Sequence, residues 1–192
     1  GASASNPCLV WVAPGSYNEV VTMKPHVHLQ GAGQEATLIT SDVGGSTWPL
    51  DLSTLRLASD SSVRDLTVHN TGSDLHNSAV VALSGTVRTL LADVTVRAQG
   101  FGTNNRAITL SGDDEEVTLI DVTASSENGG NDNFGLYNAL GGTMTIRGGF
   151  FTGTGGQHTA GVVNSGGGAT MDAIDVTAFG AQGTAVGRTE TT

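Results

Sequence analysis

The chain reads as an all-β solenoid, a stack of short coils built on one repeating unit. Three observations predict it. An Asp-Val-Thr segment recurs at a nearly fixed period, an apolar series runs in phase with it, and the composition belongs to turns and strands. Glycine supplies 28 of 192 residues, about twice the usual ~7%. Charged residues make up 14%, and lysine occurs once, at Lys24.

The repeat carries most of the argument. Asp65-Leu66-Thr67-Val68 recurs as Asp93-Val94-Thr95-Val96, as Asp121-Val122-Thr123-Ala124, in degraded form as Gly149-Phe150-Phe151-Thr152, and again as Asp175-Val176-Thr177-Ala178. The first three steps are equal, at 28, and the last is slightly shorter. Val80, Ile108, Leu136 and Val162 form a second series that shortens at the same place. Each unit holds three short strands separated by Ser, Gly, Asn and Asp, and none of these strands could bury an apolar face alone. Stacked copies could, with equivalent residues about 4.8 Å apart. Leu66, Val94, Val122, Phe150 and Val176 are therefore expected to form one inward ladder, with Asp65, Asp93, Asp121 and Asp175 facing out. No stretch shows the helical i, i+3, i+4, i+7 stripe. A β-sandwich would not explain a fixed period.

Residues 7 to 57 are less regular. Strands are expected at Leu9–Val12, Val20–Met23, Val27–Leu29 and Thr37–Thr40, punctuated by Pro14-Gly15 and Gly31-Ala32-Gly33. With a period near 28, residues 1–192 would form a single domain of roughly six to seven coils.

The net charge is −10, which argues against phosphate-directed nucleic-acid binding. It also argues against docking on an anionic membrane. No apolar run reaches the ~20 residues of a spanning helix, so membrane insertion is not expected. One cysteine, Cys8, excludes an internal disulfide framework and a Cys-based zinc cluster.

The N-terminal coils carry Val10-x-Val12-Ala13-Pro14-Gly15-x-Tyr17-x-Glu19, then Lys24-Pro25-x-Val27-x-Leu29-x-Gly31-x-Gly33 and Thr37-x-Ile39. This pattern resembles the pectin lyase-like right-handed parallel β-helix superfamily, its pectin methylesterase branch above all. The resemblance implies a right-handed parallel β-helix. It also implies a chemistry of two carboxylates, an arginine and oxyanion-binding glutamines. That chemistry is incompletely matched. His76-Asn77-Ser78-Ala79-Val80 lacks the family's glutamine, and Gly100-Phe101-Gly102-Thr103-Asn104 lacks both Gln and Asp. Asp132-Asn133-Phe134-Gly135 echoes Asp-Phe-Ile-Phe-Gly one residue short, and the Gly-Arg-Pro-Trp motif is missing. Asp132 is thus the one catalytic candidate. Arg88, Arg97 and Arg106 are candidate bases for lyase chemistry, with nothing to single one out.

Other candidates come from the residues themselves. His26 and His28 look like alternate positions of one strand, a solvated pair lacking a third ligand. Asp113 and Asp114, in the acidic turn Asp113-Asp114-Glu115-Glu116, and Asp132, in its Asn/Gly-rich loop, offer hard oxygen ligands of the kind calcium takes. The plainer reading of both is a solvated turn, with no cofactor. The Asp column reads as turn caps rather than a cation line. Trp48 is the best candidate for stacking on a sugar. Neither terminus shows a capping helix, so either copies of the chain or a larger surface assembly cover the solenoid ends, or the sequence is a fragment of a longer protein.

The favoured function is a non-catalytic structural or adhesive β-helix of an extracellular, secreted or cell-surface assembly, one form of which is a filament subunit, with glycans as weak partners. The alternatives are a carbohydrate-active enzyme of the pectin esterase or lyase kind and a viral tail or decoration protein.

Overall fold

Residues 1–47 and 52–181 are described by a computed structural model. They contain β1 (Cys8–Trp11), β2 (Gly15–Asn18), β3 (Val21–Thr22), β4 (Val27–Gln30), β5 (Thr37–Ser41), β6 (Leu55–Arg56), β7 (Ser62–Asn70), β8 (His76–Leu83) and β9 (Thr89–Ala98). Then follow β10 (Asn104–Ser111), β11 (Glu116–Ile120), β12 (Thr123–Ser126), β13 (Asp132–Asn138), β14 (Thr143–Arg147), β15 (Phe150–Gly153), β16 (His158–Asn164), β17 (Thr170–Ile174) and β18 (Thr177–Gly180). All pairs between these strands are parallel, and each strand pairs with the equivalent strand one coil away.

The chain winds round three faces. The first is the ladder β1-β4-β7-β9-β11-β14-β17. The second runs through β2, β5, the later halves of β7 and β9, then β12, β15 and β18. The third is β3-β6-β8-β10-β13-β16. About five turns keep a period near 28 residues, fewer than the six to seven expected from chain length. The reason lies at the N-terminal end, where coil length is uneven. Cys8 pairs with Val27, well short of a full period on, and His28 pairs with Ser62, well beyond one. Only from β7 onward is the spacing regular. The Gly15–Asn18 strand is not expected from sequence, because Pro14-Gly15 reads as a turn.

The Asp-Val-Thr segment marks the corner between the first and second faces. Asp65, Asp93, Asp121 and Asp175 all have φ between 50° and 57°. This is the left-handed region, which disfavours most side chains and which Asp and Asn tolerate best. The column is therefore a backbone device: the chain turns sharply while the following Leu66, Val94 and Val122 drop into the core. Asp65 also accepts a bond from Gln30 Nε2 at 3.0 Å.

Phe150 does not join that ladder. The coil before it is one residue short, so Phe150 pairs with Thr123 and is exposed, while Phe151 pairs with Ala124 and is fully buried. A slip of one residue exchanges the faces of a strand. Gly149 takes the ladder position next to Val122, and its φ of +102° suits only glycine. The Phe151 ring packs beside it, where a side chain would otherwise sit.

The core is built of in-phase columns. Val63, Leu91, Leu119 and Ile146 line the first face, and Val80, Ile108, Leu136 and Val162 line the third. The second face contributes Leu66, Val94 and Val122, together with Val68, Val96, Ala124 and Phe151. Full burial of each such apolar side chain is worth about 1.5–3 kcal/mol. The second and third faces pinch together at a column of small residues. A methyl group at Gly135 would come within 2.7 Å of Gly161 O and 2.8 Å of Thr152 N. At the entrance to the third face, Asn77, Asn105 and Asn133 form a buried ladder. Asn77 Nδ2 donates to Asn105 Oδ1 (2.9 Å), Asn105 to Glu127 O (2.7 Å) and Asn133 to Gly129 O (2.9 Å). These amides satisfy loop carbonyls that the strands leave unpaired.

Candidate functional site

The register of the third face brings four polar residues into one outward row. His76 pairs with Asn104, Asn104 with Asp132, and Asp132 with His158. Each opens its strand, one residue before the buried Asn ladder or its Thr159 end, so strand alternation turns the row outward, although Asn104 is only 6% exposed.

The row is joined by hydrogen bonds. Asn104 Nδ2 donates to Leu75 O (3.1 Å) and lies 3.2 Å from His76 Nδ1. Asn131 Nδ2 donates to Asn104 Oδ1 (3.3 Å) and to Asp132 Oδ1 (3.1 Å). Asp132 Oδ1 also faces His158 Nδ1 at 3.1 Å, and Asp132 Oδ2 accepts from Arg106 Nη2 at 3.2 Å. Arg106 is the cation that sequence alone could not single out. Its side chain is only 6% exposed, against 20% for Asp132 and 68% for His158. Its guanidinium lies 4.7 Å from the Tyr137 ring centre and 6.0 Å from that of Phe134, a cation–π arrangement. The two rings are 5.4 Å apart. By contrast, Arg88 is an exposed corner residue paired with Asp60, and Arg97 is exposed on β9.

Burial pulls Arg106 below its ordinary pKa, countered by Tyr137 and Asp132, yet a guanidinium stays charged at any working pH. Burial likewise lowers His76, and the Arg106 charge adds to it. His76 is therefore neutral at neutral pH. Asp132 is the row's one carboxylate. The rung below it holds an amide, Asn104, where a second carboxylate would have to stand to share its proton. The arrangement is suited to hydrogen-bonding a polar ligand along the axis. It lacks the paired acids that ester or glycoside cleavage ordinarily divides between nucleophile and acid. Phe101, 83% exposed, stands in the loop that leads into Asn104, and exposed Leu75 directly precedes His76.

The remaining candidates scatter. Asp113 and Asp114 follow the far end of β10, whereas Asp132 opens β13, so the strands' length separates them and they cannot share an ion. The acidic turn is not uniformly solvated, because Glu115 is 1% exposed. His26 and His28 do not alternate on a strand. His26 is a corner residue (φ 61°) 4.0 Å from Asp60 Oδ2, and His28 Nδ1 meets Ser62 Oγ at 2.9 Å. Trp48 lies outside the described residues. Among the described residues, no three His, Cys, Asp or Glu side chains converge on a metal site, and no helix is long and apolar enough to cross a membrane. The row itself was within reach of sequence: His76, Asn104, Asp132 and His158 recur with the same steps as the Val80 series and in phase with it.

No protein-family model matches the chain, and no curated protein sequence matches it. Solved structures do. A pectin methylesterase from carrot superposes with a TM-score of 0.56 at 17% identity, covering 78% of this chain and 55% of the carrot chain. Pectin methylesterase PemA from Erwinia chrysanthemi matches at 0.48 and 16%, covering 77% and 58%. A pectin methylesterase from Yersinia enterocolitica matches at 0.46 and 12%, covering 75% and 54%. The chain thus spans little more than half the length of these enzymes. What the likeness to the carrot enzyme shows is the architecture alone: both chains fold as a parallel β-helix.

Proposed function

We propose that this chain is a non-catalytic structural and adhesive β-helix of a secreted or cell-surface assembly, and that the His76–Asn104–Asp132–His158 row holds a glycan. The observation that carries the reading is the state of Asp132. Its two oxygens are already engaged by Arg106, His158 and Asn131, and its neighbour on the next rung is an amide. A carboxylate so held serves as an acceptor for sugar hydroxyls. It has no second carboxylate on the next rung with which to divide the roles of nucleophile and acid. Phe101, exposed beside the row, offers a stacking face.

The test is binding to a panel of neutral and acidic oligosaccharides by calorimetry. Phe101→Ala removes a side chain that the core does not use, and is expected to weaken binding about 3–10-fold. His158→Ala is expected to weaken it similarly. A panel with no binder ends the glycan reading. The alternative, an ester hydrolase of the pectin-degrading kind, is favoured by Asp132 standing beside Arg106 on this fold. Methanol release from methylated pectin, abolished by Asp132→Asn, would put that alternative first.

A further inference from the structure

The first and second faces of the solenoid end on open strand edges. Among the described residues, β1 pairs only with β4 and β2 only with β5, while β17 pairs only with β14 and β18 only with β15. Such an edge offers unpaired N–H and C=O groups to any strand that can lie in register with it. The side chains on the two sets of edges complement each other along the columns. Val10 heads the inward column that runs through Leu29, Val63, Leu91, Leu119 and Ile146 to Ala173. Tyr17 heads the one that runs through Ile39, Val68, Val96, Ala124 and Phe151 to Ala178. Both columns open on a larger side chain and close on alanine. The alanines leave a hollow of about 300 Å³, also lined by Ile146, Val162, Met171 and Val176. At the leading end Val10 is 43% exposed although its column faces the core. A neighbouring outward column begins at Trp11, 60% exposed, and ends at Ile174, 51% exposed, with Gln30, Arg64 and Arg147 between them.

Two acidic ends would repel each other in a chain of net charge −10. These ends differ. On the leading coil Lys24 offsets Glu19, with His26 and His28 beside them, whereas the trailing coil carries Asp172 and Asp175. We propose that a second copy of this chain stacks head to tail on the first, with β17 and β18 of one copy pairing with β1 and β2 of the next. Val10 and Tyr17 enter the hollow beside Ala173 and Ala178. Trp11 meets Ile174 as an aromatic–β-branched cross-strand pair. His28 and Asp172 belong to one outward column, so stacking sets them two rungs apart, about 10 Å, within reach of attraction at physiological salt. The contact is heterologous, so each added copy leaves a fresh edge and the product is a filament rather than a closed dimer. The inference names the partner for the assembly proposed above and rests on that part of the reading, not on the glycan row.

The single cysteine supplies the experiment. Continuing the register sets Met171 of one copy on Cys8 of the next, whereas within one chain the two stand at opposite ends of the first face. Met171→Cys, gently oxidised, is expected to give a ladder of disulfide-linked dimers, trimers and longer species, because in-register neighbours lie near the ~5.5 Å Cα separation that a disulfide accepts. The parent, with Cys8 alone, is expected to give none. Sedimentation of the parent at rising concentration reads the same contact without a substitution in the core. Trp11→Glu changes an exposed side chain outside the core cluster and is expected to weaken that association about tenfold or more. A parent that stays monomeric at millimolar concentration would overturn the proposal, and if it still bound oligosaccharides the glycan row would stand without it. Parent chains linked Cys8 to Cys8, stopping at dimers, would show head-to-head pairing and overturn it too. So would association that Trp11→Glu leaves unchanged.

Discussion

At the leading end of the third sheet, Arg106 is almost wholly buried, yet Asp132 on the next rung meets it at 3.2 Å and two rings lie against its guanidinium. At the trailing end of the same strands, Glu115 is as deeply buried and has no such partner. The two ends differ in what stacking supplies. A β-helix brings equivalent positions of successive coils together, so a buried charge is compensated only if the adjacent rung carries the opposite one. Rungs 106 and 132 belong to columns in which cation and anion are one coil and two residues apart. Glu115 is flanked instead by Gly112, Gly142 and its own acidic neighbours. Where the repeat supplies the partner, charge becomes part of the structure. Where it does not, burial raises the carboxyl's pKa and favours its neutral form.

The largest effect expected from breaking this contrast is at Arg106. Arg106→Met keeps much of the apolar stem and removes the charge, leaving Asp132 with His158 and Asn131 alone. Removing one partner of a buried pair typically costs 3–5 kcal/mol. Asp132 is still 20% exposed, so about 3 kcal/mol is expected, read from urea unfolding. A loss no larger than that of a surface substitution would show that the pair is incidental.

Glu115→Gln comes next and has the opposite sign. Burial holds the Glu115 carboxyl above its ordinary range. Between the unfolded and folded pKa values, the folded state binds more protons than the unfolded one, so stability falls as pH rises through that window. The variant is expected to flatten this fall. Above the window it should be more stable than the parent by about 1 kcal/mol or more. Unfolding series at mildly acidic and at neutral pH measure both. A parent chain whose stability rises through the same window would contradict the assignment.

The contrast also marks what could be read without coordinates. The period and the Val80 and Leu66 columns are explicit in sequence because stacking makes like residues meet. Phe150 escapes the pattern because a coil one residue short shifts a strand by one position, and at that point only the glycine at 149 hints that the slot is filled from elsewhere. The Asp column was legible as a column, but its role as a left-handed corner was not. A side chain tolerant of positive φ and one that caps a turn are the same residue type. Asp132 was legible from its motif echo. Its pairing with Arg106 was not, since Arg106 lies most of a coil away in sequence and becomes a neighbour only through the register. The burial of Glu115 inside a run of four acids runs against every compositional cue.

The smallest effect separates burial from pairing as the source of these differences. At the corner before β9, Arg88 and Asp60 form a two-pronged ion pair across adjacent coils at 2.6 and 2.8 Å, geometrically better than that of Arg106. Arg88 is 61% exposed against 6% for Arg106, whereas Asp60, at 27%, is half-buried. The Arg88 hydrogen bond holds the Asp60 carboxyl below its ordinary range, against a smaller opposing effect of burial. Its contribution is therefore present above the unfolded carboxylate pKa and lost as pH falls through the folded one. Asp60→Asn removes the charge while keeping a residue that accepts φ near 55°. At neutral pH the unfolding midpoint is expected to stay within the scatter of surface substitutions, because exposed pairs are screened by water and salt. Only the acid limb of the stability curve should flatten. If Asp60→Asn instead cost as much as Arg106→Met, geometry rather than desolvation would govern ion pairs on this scaffold, and the comparison between the two ends of the third sheet would lose its physical basis.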